Sequence, residues 1–351
     1  MSRKLKPEPK LSVAKRQPPR WQHERNLVIF AWIIIPLTIL LAVGLVGYWG
    51  YDNYVAVWHQ PIAEINKTVL GNETGNQTIL GNKTIVRMDY YVKMLRFYTV
   101  NSGNQSDTTS LPYQTLSQIE NDELTRRAAL NLGIQVSSDE LGNATDTYVL
   151  RLTGGNATQP GALKESYQRV LDVLRLSEGD LRQVVEANLL REKLREYFKD
   201  QKIPTETKQV HLYDILVGNE GNATEVLNRL QNGENFSTLA QELSIDEGSK
   251  QYGGDMGWLP RGILSYYIDP QLDQAAFSLE VGNVSEPIQT TRGYYVITVS
   301  EIDENRPIDD QYREVLAASE LDTWLNELWT ASNIKNYLDQ DKIDWATARI
   351  K

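Results

Sequence analysis

The sequence predicts an α+β protein: a single N-terminal transmembrane helix, a mainly helical domain built from N- and C-terminal segments, and an inserted domain with a small antiparallel sheet surrounded by helices. Three observations lead to this prediction. Residues 27–51 contain no charged side chain. Apolar residues recur at helical spacing in residues 54–198 and again after residue 304. Residues 205–303, in contrast, combine two strand-like runs with short amphipathic helices.

The composition excludes several kinds of site. With 351 residues the chain is long enough for about two domains. It contains no cysteine, which excludes disulfides, thiolate metal sites and a cysteine nucleophile. Its three histidines, His23, His59 and His211, lie on both sides of the apolar segment, so a three-histidine metal site is excluded as well. The sequence therefore predicts a protein that uses no metal or other cofactor.

The first 51 residues predict a membrane anchor. Residues 1–26 carry eight Lys and Arg residues and form a basic tail. Residues 27–51 exceed the ~20 residues that a helix needs to cross a bilayer core of ~30 Å. The alternative is a cleaved signal peptide, but its apolar region would be only ~7–15 residues long and would end at a small-residue cleavage site. We therefore expect a single-pass protein of the plasma membrane.

The distribution of charge predicts the orientation and the partners. The residues after the apolar segment include 28 basic and 44 acidic side chains. A basic flank before the helix and an acidic body after it predict a cytoplasmic N-terminus and an extracytoplasmic body. An acidic body also disfavours nucleic acid as a partner.

The expected helical domain comprises residues 52–204 together with residues 304–351. Ser177-Glu-Gly-Asp180 resembles the capping box that begins a helix. Residues 66–84 contain an imperfect repeat rich in Gly, Asn and Thr, which we interpret as a flexible insertion or a turn region. A wide apolar face near the C-terminus needs a partner, and the helices before residue 204 are the candidate. This face includes Trp324, Leu325, Leu328 and Trp329.

Five short motifs follow one another within residues 209–301. They are an opening strand VHLYDILV, a helix NFSTLAQELSID, a glycine-rich loop GGDMGW, a helix AAFSL and a closing strand GYYVITV. This succession resembles the parvulin family of peptidyl-prolyl cis/trans isomerases. The order of the whole chain resembles membrane-anchored bacterial foldases, in which a parvulin domain, here expected at residues 205–303, is inserted into a helical chaperone domain.

The resemblance implies an activity, a class of partner and a substrate site. The activity is isomerisation of X–Pro bonds in unfolded or newly exported polypeptides at the outer face of the membrane. The implied substrate-binding residues are Met256, Leu259, Leu264 and Leu272, which would form an apolar cup for the proline ring, and Trp258, which would brace the loop. The alternative is that these side chains form the core of the loop and bind no ligand.

The polar residues of the site depart from the family pattern. The family has a histidine in the opening strand where this chain has Asp214, and another in the closing strand where this chain has Tyr295. Asp246 stands where the family has a cysteine or an aspartate, and Thr290 matches a family threonine. His211 is expected on the opposite face of the strand from Asp214, so it does not replace the missing pair.

Two interpretations of this site remain open. In the first, a hydrogen bond between Asp214 and Tyr295 replaces the histidine pair. Asp246 and the cup then support an isomerase of reduced turnover, with a flat activity profile between about pH 6 and 8 because no histidine takes part. In the second, the domain binds peptides without catalysis, as part of a non-enzymatic holdase chaperone or a membrane scaffold.

Overall fold

The computed structural model describes residues 20–71, 77–102, 109–154 and 161–350. The chain divides into two compact units. The smaller unit contains the N-terminal helix and residues 87–89, and the larger unit contains residues 62–86 and the chain from residue 90 onward. The candidate site lies within the larger unit.

The N-terminal unit consists mainly of helix α1, Arg20–Gly50. A π-helical turn, Tyr51–Val55, and a 3-10 turn, Ala56–His59, follow it. The helix expected at residues 27–51 is therefore present. Within the described part of the chain, however, no helix is long and apolar enough to cross a membrane, so the expected transmembrane span is not supported. Most of the expected basic tail, residues 1–19, lies outside the described residues.

Helices α2 to α6 form most of the region before residue 204. Their bounds are Met88–Ser102 (α2), Leu111–Asn131 (α3), Ser138–Thr153 (α4), Ala162–Leu174 (α5) and Glu178–Gln201 (α6). The capping box predicted at the start of α6 is confirmed: the Ser177 hydroxyl accepts from the Asp180 N–H, and the Asp180 carboxylate accepts from the Ser177 N–H. Two N–H groups that lack a partner within the helix are satisfied in this way.

A small sheet interrupts the helical region. Its strands are β1 (Pro61–Gly71), β2 (Gln77–Leu80), β3 (Thr84–Arg87) and β8 (Ser332–Asn336), and β1 pairs with the other three. The prediction of a flexible insertion at residues 66–84 is thereby corrected, because the end of β1 and all of β2 lie within it. The expectation that residues 304–351 are purely helical is corrected by β8.

A buried arginine explains why this Gly- and Asn-rich segment is ordered. The guanidinium of Arg127 on α3, which is 4% exposed, donates hydrogen bonds to the backbone carbonyls of Ile65, Asn66 and Asn82. Carbonyls near a sheet edge need such partners when water is excluded. The contact joins residues 45 to 62 positions apart in the chain, so local sequence patterns do not reveal it.

Helix α11, Asp310–Ala331, packs on two parts of the larger unit. Its C-terminal half buries apolar side chains against α3 and α6 in one core cluster. This cluster contains Ala128, Ala129, Leu190, Leu194, Phe198, Ala317, Leu321, Leu325 and Leu328. The ring of Trp324 lies 5.3 Å from that of Phe198, whereas Trp329 is 46% exposed. A final helix, α12, covers Gln340–Ile350.

The segment between α6 and α11 forms a four-stranded antiparallel sheet with the strand order β5-β4-β7-β6. The strands are β4 (Glu206–Val217), β5 (Asp255–Pro260), β6 (Ile288–Thr290) and β7 (Gly293–Pro307). The helices around the sheet are α7 (Glu220–Gln231), α8 (Phe236–Leu243), α9 (Ile263–Tyr267) and α10 (Pro270–Ala276). Residues of α7 and α8 cover one face, and residues of α9, α10 and the start of α11 cover the other. The small antiparallel sheet surrounded by helices is therefore confirmed.

The glycine-rich segment is an edge strand rather than a loop. Residues 255–260 pair with β4, with an irregularity opposite Leu212 and Tyr213. Gly254 leads into this strand with φ +85°, and a Cβ there would lie 2.3 Å from the carbonyl oxygen of Asp214. Only glycine permits this approach, because any side chain would collide with the backbone of β4.

Candidate active site

A cavity of about 420 Å³ opens beside the edge strand β5. Its lining combines one apolar side with a few polar groups, which is the usual make-up of a ligand site. The apolar lining residues are Met256, Leu259, Ile263, Leu264, Tyr267, Ile268 and Tyr312. The polar lining residues are Asp246, Ser249, Tyr252, Asp255 and Arg292, and Gly248 completes the lining.

The structure brings together three of the five residues expected to bind the proline ring. Met256, Leu259 and Leu264 all line the cavity. Leu272 is fully buried in the core cluster next to the cavity and does not line it. Trp258 is elsewhere: its ring stacks on His211 at 5.3 Å and lies 4.4 Å below the Arg306 guanidinium. The side chain of Trp258 therefore packs the outer surface of β5.

Asp246 is one of two carboxylates that line the cavity, the other being Asp255. Asp246 is 9% exposed. Its Oδ1 accepts a hydrogen bond from the Gly248 N–H at 2.9 Å, and its Oδ2 lies 3.9 Å from the guanidinium of Arg292. The Ser244 hydroxyl accepts from the Asp246 N–H at 3.2 Å. These contacts fix the carboxylate at the end of the segment that follows α8.

Tyr295 contacts Asp246 rather than Asp214. Its hydroxyl lies 3.5 Å from Oδ2 of Asp246, at the long limit for a hydrogen bond. Tyr295 is fully buried on β7 and does not itself line the cavity. Burial, together with the nearby carboxyls of Asp246 and Asp214, raises the pKa of Tyr295, so its hydroxyl stays a donor at neutral pH. The expected hydrogen bond between Asp214 and Tyr295 is absent among these described residues.

Asp214 is a buried carboxyl group without a compensating partner. It is 0% exposed on the central strand β4, and neither oxygen has a hydrogen-bond partner among the described residues. Burial raises the pKa of Asp214 to about 7; the neighbouring Ser249 hydroxyl lowers it somewhat, and the Asp246 carboxylate raises it further. A carboxyl group in this position is half protonated near neutral pH, because the charged form has lost its hydration.

Thr290 positions Arg292 and does not line the cavity. Its hydroxyl accepts from the Arg292 N–H at 3.1 Å and donates to the Gly293 carbonyl at 3.1 Å. These bonds close the turn between β6 and β7. The Arg292 side chain, 50% exposed, extends from this turn to the cavity and reaches Asp246.

His211 is coupled to the cavity wall through Asp255. The Nε2 atom of His211 lies 2.9 Å from Oδ1 of Asp255, and Asp255 lines the cavity. Burial raises the pKa of Asp255, but the Gly257 N–H and His211 outweigh it and hold the pKa below its ordinary value. His211 does point away from Asp214, yet it touches a residue of the site.

Family comparisons match two segments of the chain. A model of the PPIC-type PPIASE domain matches residues 219–301. This segment is similar to the parvulin-type isomerase family. A model of the SurA-like N-terminal domain matches residues 22–195. The isomerase match begins after β4, so it does not include Asp214.

Individual relatives are foldases. Foldase protein PrsA of Geobacillus sp. (strain WCH70) is 32% identical over 167 residues, which are 44% of this chain and 57% of the relative. Foldase protein PrsA 3 of Bacillus anthracis is 40% identical over 97 residues, 27% of this chain and 32% of the relative. The chain spans about half the length of the first of these relatives. A crystal structure of PrsA from Bacillus anthracis has 21% identity and a TM-score of 0.44, covering 66% of this chain and 97% of that one.

The parvulin-type site can act on an amide without covalent chemistry. Rotation about the amide bond is opposed by resonance, with a barrier of ~18–20 kcal/mol. A site lowers this barrier by holding the twisted amide and stabilising its altered charge distribution. Here an apolar wall lies next to one carboxylate and one guanidinium, Asp246 and Arg292. Among the described residues, no group of three or more His, Asp or Glu side chains is arranged to hold a metal ion.

Sequence reasoning missed nine of the thirteen lining residues, among them Arg292, Asp255, Tyr267 and Tyr312. Arg292 and Asp255 could have been found, since each is next or close to a residue that was singled out, Thr290 and Met256. Tyr267 lies in the segment ILSYYIDPQLD, residues 263–273, which is longer than the corresponding segment usual in the family. The extra length made it uncertain which of its residues would face the cavity. Tyr312 belongs to α11, outside the isomerase segment, and only the folded chain brings it to the cavity.

Proposed function

We propose that this chain is a prolyl cis/trans isomerase that assists the folding of exported polypeptides. The observation that carries the proposal is the cavity in which Met256, Leu259 and Leu264 adjoin the carboxylate of Asp246. An apolar wall of this kind suits a proline ring, and a polar group at its edge suits the amide that precedes the ring. The foldase relatives support the same activity.

Each polar residue has a proposed role in this reaction. Asp246 contacts the amide being rotated. Tyr295 holds its carboxylate in place, and Ser244 accepts a hydrogen bond from its backbone N–H. Arg292 donates to a substrate carbonyl, because its side chain is half exposed and only loosely paired with Asp246 at 3.9 Å. Thr290 acts through the turn that carries Arg292.

Asp214 and Tyr295 stand where the family has two histidines, and we propose that turnover is reduced as a result. An uncompensated buried carboxyl group stabilises the site less than a hydrogen-bonded pair does. Leu272 supports the cup from within the core, and Trp258 braces β5 through its stack with His211.

The location of the activity is also part of the proposal. The uncharged stretch 27–51 and the acidic body that follows it favour a chain held at the outer face of the plasma membrane. Protease treatment of intact cells should degrade the body of the protein while leaving cytoplasmic controls intact. Protection from protease would exclude this location.

The experiment that tests the function is catalysed refolding. Prolyl isomerisation takes tens to hundreds of seconds without a catalyst, slow enough to limit folding. The full chain should accelerate the slow refolding phase of a protein that is limited by an X–Pro bond, and Met256→Ala should accelerate it much less. An unchanged slow phase at all concentrations of the wild-type chain would reject the isomerase.

A different observation supports a second candidate function, that of a non-enzymatic holdase. A cavity of about 520 Å³ lies between α4 and α6, away from the isomerase segment. It presents apolar Ala144, Val185 and Leu189 beside arginines, so it could hold a stretch of unfolded chain. If the chain suppresses aggregation of an unfolded protein equally well with and without Met256→Ala, while refolding is not accelerated, the holdase is the better description.

A further inference from the structure

The candidate cavity extends beyond the expected proline cup. Besides the cup residues, it is lined by Tyr267 and Ile268 near the end of α9 and by Tyr312 on α11. At about 420 Å³ the cavity falls within the range of roughly 300–1,000 Å³ that holds drug-sized ligands. One five-membered proline ring does not fill a space of that size. The cavity therefore has room for a second substrate group.

Tyr312 is brought to the cavity by a helix outside the isomerase segment. Helix α11 begins directly after β7, where the Asp309 carboxylate caps it by accepting from the Gln311 N–H at 2.8 Å. Tyr312, Val315 and Leu316 on its first turns pack against the core cluster that adjoins the cavity. The approach is close: a Cβ at Gly262 would lie 2.9 Å from Cδ2 of Leu316.

The other end of α11 is fixed as well. Leu321, Leu325 and Leu328 are buried against α3 and α6. A helix held at both ends cannot easily move its first turn, so Tyr312 is a preformed part of the wall.

The chemistry of this wall favours one class of side chain. The side chain of Tyr267 is 55% exposed and is therefore accessible to a substrate, whereas Tyr312 is half-buried. Tyr267 and Tyr312 line the same cavity. Burial, the Asp309 carboxylate and the phenol of Tyr267 all raise the pKa of Tyr312, so its hydroxyl stays neutral. Ile263, Leu264 and Ile268 line the same side, and the charged lining residues Asp246, Asp255 and Arg292 belong to other segments. Paired aromatic rings with apolar neighbours bind aromatic side chains.

We propose that Tyr267 and Tyr312 form an aromatic subsite that binds an aromatic side chain adjacent to the substrate proline. This subsite rests on the proposed isomerase function and names its preferred substrates: X–Pro segments with Phe, Tyr or Trp beside the proline. It also makes the helical region a contributor to substrate choice, because Tyr312 comes from α11. The isomerase segment alone lacks one wall of the subsite.

The test compares peptides in the full chain. Two peptide pairs are used, one with Phe or Ala before proline and one with Phe or Ala after it. The wild-type chain should favour Phe over Ala in one pair, and Tyr312→Ala and Tyr267→Ala should each lower that ratio of kcat/KM by roughly 2- to 12-fold, the range expected for loss of an aromatic pair.

Matched variants separate the subsite from general damage to the fold. Tyr113→Ala removes a ring on α3 that is 51% exposed and does not line the cavity, so it should leave the ratio unchanged. Tyr312→Phe keeps the ring and should also keep the ratio. Equal ratios in wild-type, Tyr312→Ala and Tyr113→Ala chains would overturn the subsite while leaving the isomerase intact.

A chain without activity on any peptide would reject the isomerase and not the subsite. In that case the same labelled peptides are titrated by fluorescence anisotropy. Tighter binding of the Phe peptide that is lost in Tyr312→Ala and kept in Tyr113→Ala would support the subsite. Identical dissociation constants for the Phe and Ala peptides would overturn it.

Discussion

The hydroxyl of Tyr295 lies 3.5 Å from Oδ2 of Asp246, so this tyrosine faces a carboxylate that lines the cavity. Tyr295 and Asp246 are 49 residues apart in sequence and meet because β7 runs next to β4, while the end of α8 returns along β4. The polar group of the site is therefore an Asp246–Tyr295 pair with Asp214 buried nearby.

Tyr295→Phe should reduce activity without unfolding the protein. The ring is retained, and the lost hydrogen bond is long, so the free energy of unfolding should fall by about 1 kcal/mol or less. Because Asp246 loses its donor, kcat/KM on an X–Pro peptide should drop several-fold. Tyr294→Phe is the matched control, since Tyr294 packs against the opposite face of the sheet. Equal kinetics for the two variants would show that the Tyr295 hydroxyl does not act on Asp246.

Asp214 should make stability depend on pH. Its pKa is raised to about 7 in the folded chain and is near 4 when unfolded. Between these values the folded state holds one more proton than the unfolded state, so stability falls as pH rises from about 4 to 7 and then levels off. Asp214→Asn removes this dependence on pH. The difference in free energy of unfolding between the variant and the wild type should therefore shift in favour of the variant by roughly 3 kcal/mol from pH 5 to pH 8.

Urea denaturation of the full chain at the two pH values measures this difference. Glu247→Gln is the control, since Glu247 is an exposed residue next to Asp246. An Asp214→Asn effect of the same size at pH 5 and pH 8 would mean that Asp214 is charged throughout this range.

Gly254 should tolerate alanine much less well than Gly257 does. Both have positive φ, +85° and +74°, so both variants are strained by the backbone conformation. Only at Gly254 does a Cβ meet backbone, 2.3 Å from the Asp214 carbonyl oxygen; at Gly257 nothing lies within 4 Å. Gly254→Ala should therefore lower the thermal midpoint clearly more than Gly257→Ala. Equal losses would indicate that β5 shifts away from β4 at no cost.

The residues on the apolar face of α11 should contribute unequally to the free energy of unfolding. Leu328 is 1% exposed in the core with α6, and Leu328→Ala should cost ~2–5 kcal/mol. Trp329, 46% exposed, belongs to the same predicted face, yet Trp329→Ala should cost well under that amount. Chemical denaturation of the two variants checks the order. A larger loss for Trp329→Ala would show that α11 is rotated relative to this packing.

Much of the isomerase segment could be predicted because its signals are local. The alternation of apolar residues in β4 and β7 identifies both strands, and the cup residues Met256, Leu259 and Leu264 follow from a motif. The edge strand β5 was not predicted, because its glycines indicate turns while its pairing with β4 is a long-range property.

Other features depend on contacts between distant segments. The small sheet around β1 is held by Arg127 and by β8 from the far end of the chain. The hydroxyl of Tyr295 contacts the carboxylate of Asp246 and not that of Asp214. A sequence pattern does not predict this choice, because the two positions differ by only a few ångströms in the folded chain. Tyr312 reaches the cavity only because α11 packs on the isomerase segment.

The central claim is that the cavity beside Asp246 isomerises X–Pro bonds, and exchange NMR spectroscopy on an X–Pro peptide tests it most directly. Catalytic amounts of the wild-type chain should produce cross-peaks between the cis and trans forms. Asp246→Ala and Met256→Ala should weaken this exchange strongly. Ile245→Ala, a change at the exposed neighbour of Asp246, should leave it intact. Absence of exchange with the wild-type chain on every peptide, or equal exchange in wild-type, Asp246→Ala and Met256→Ala chains, would contradict the claim.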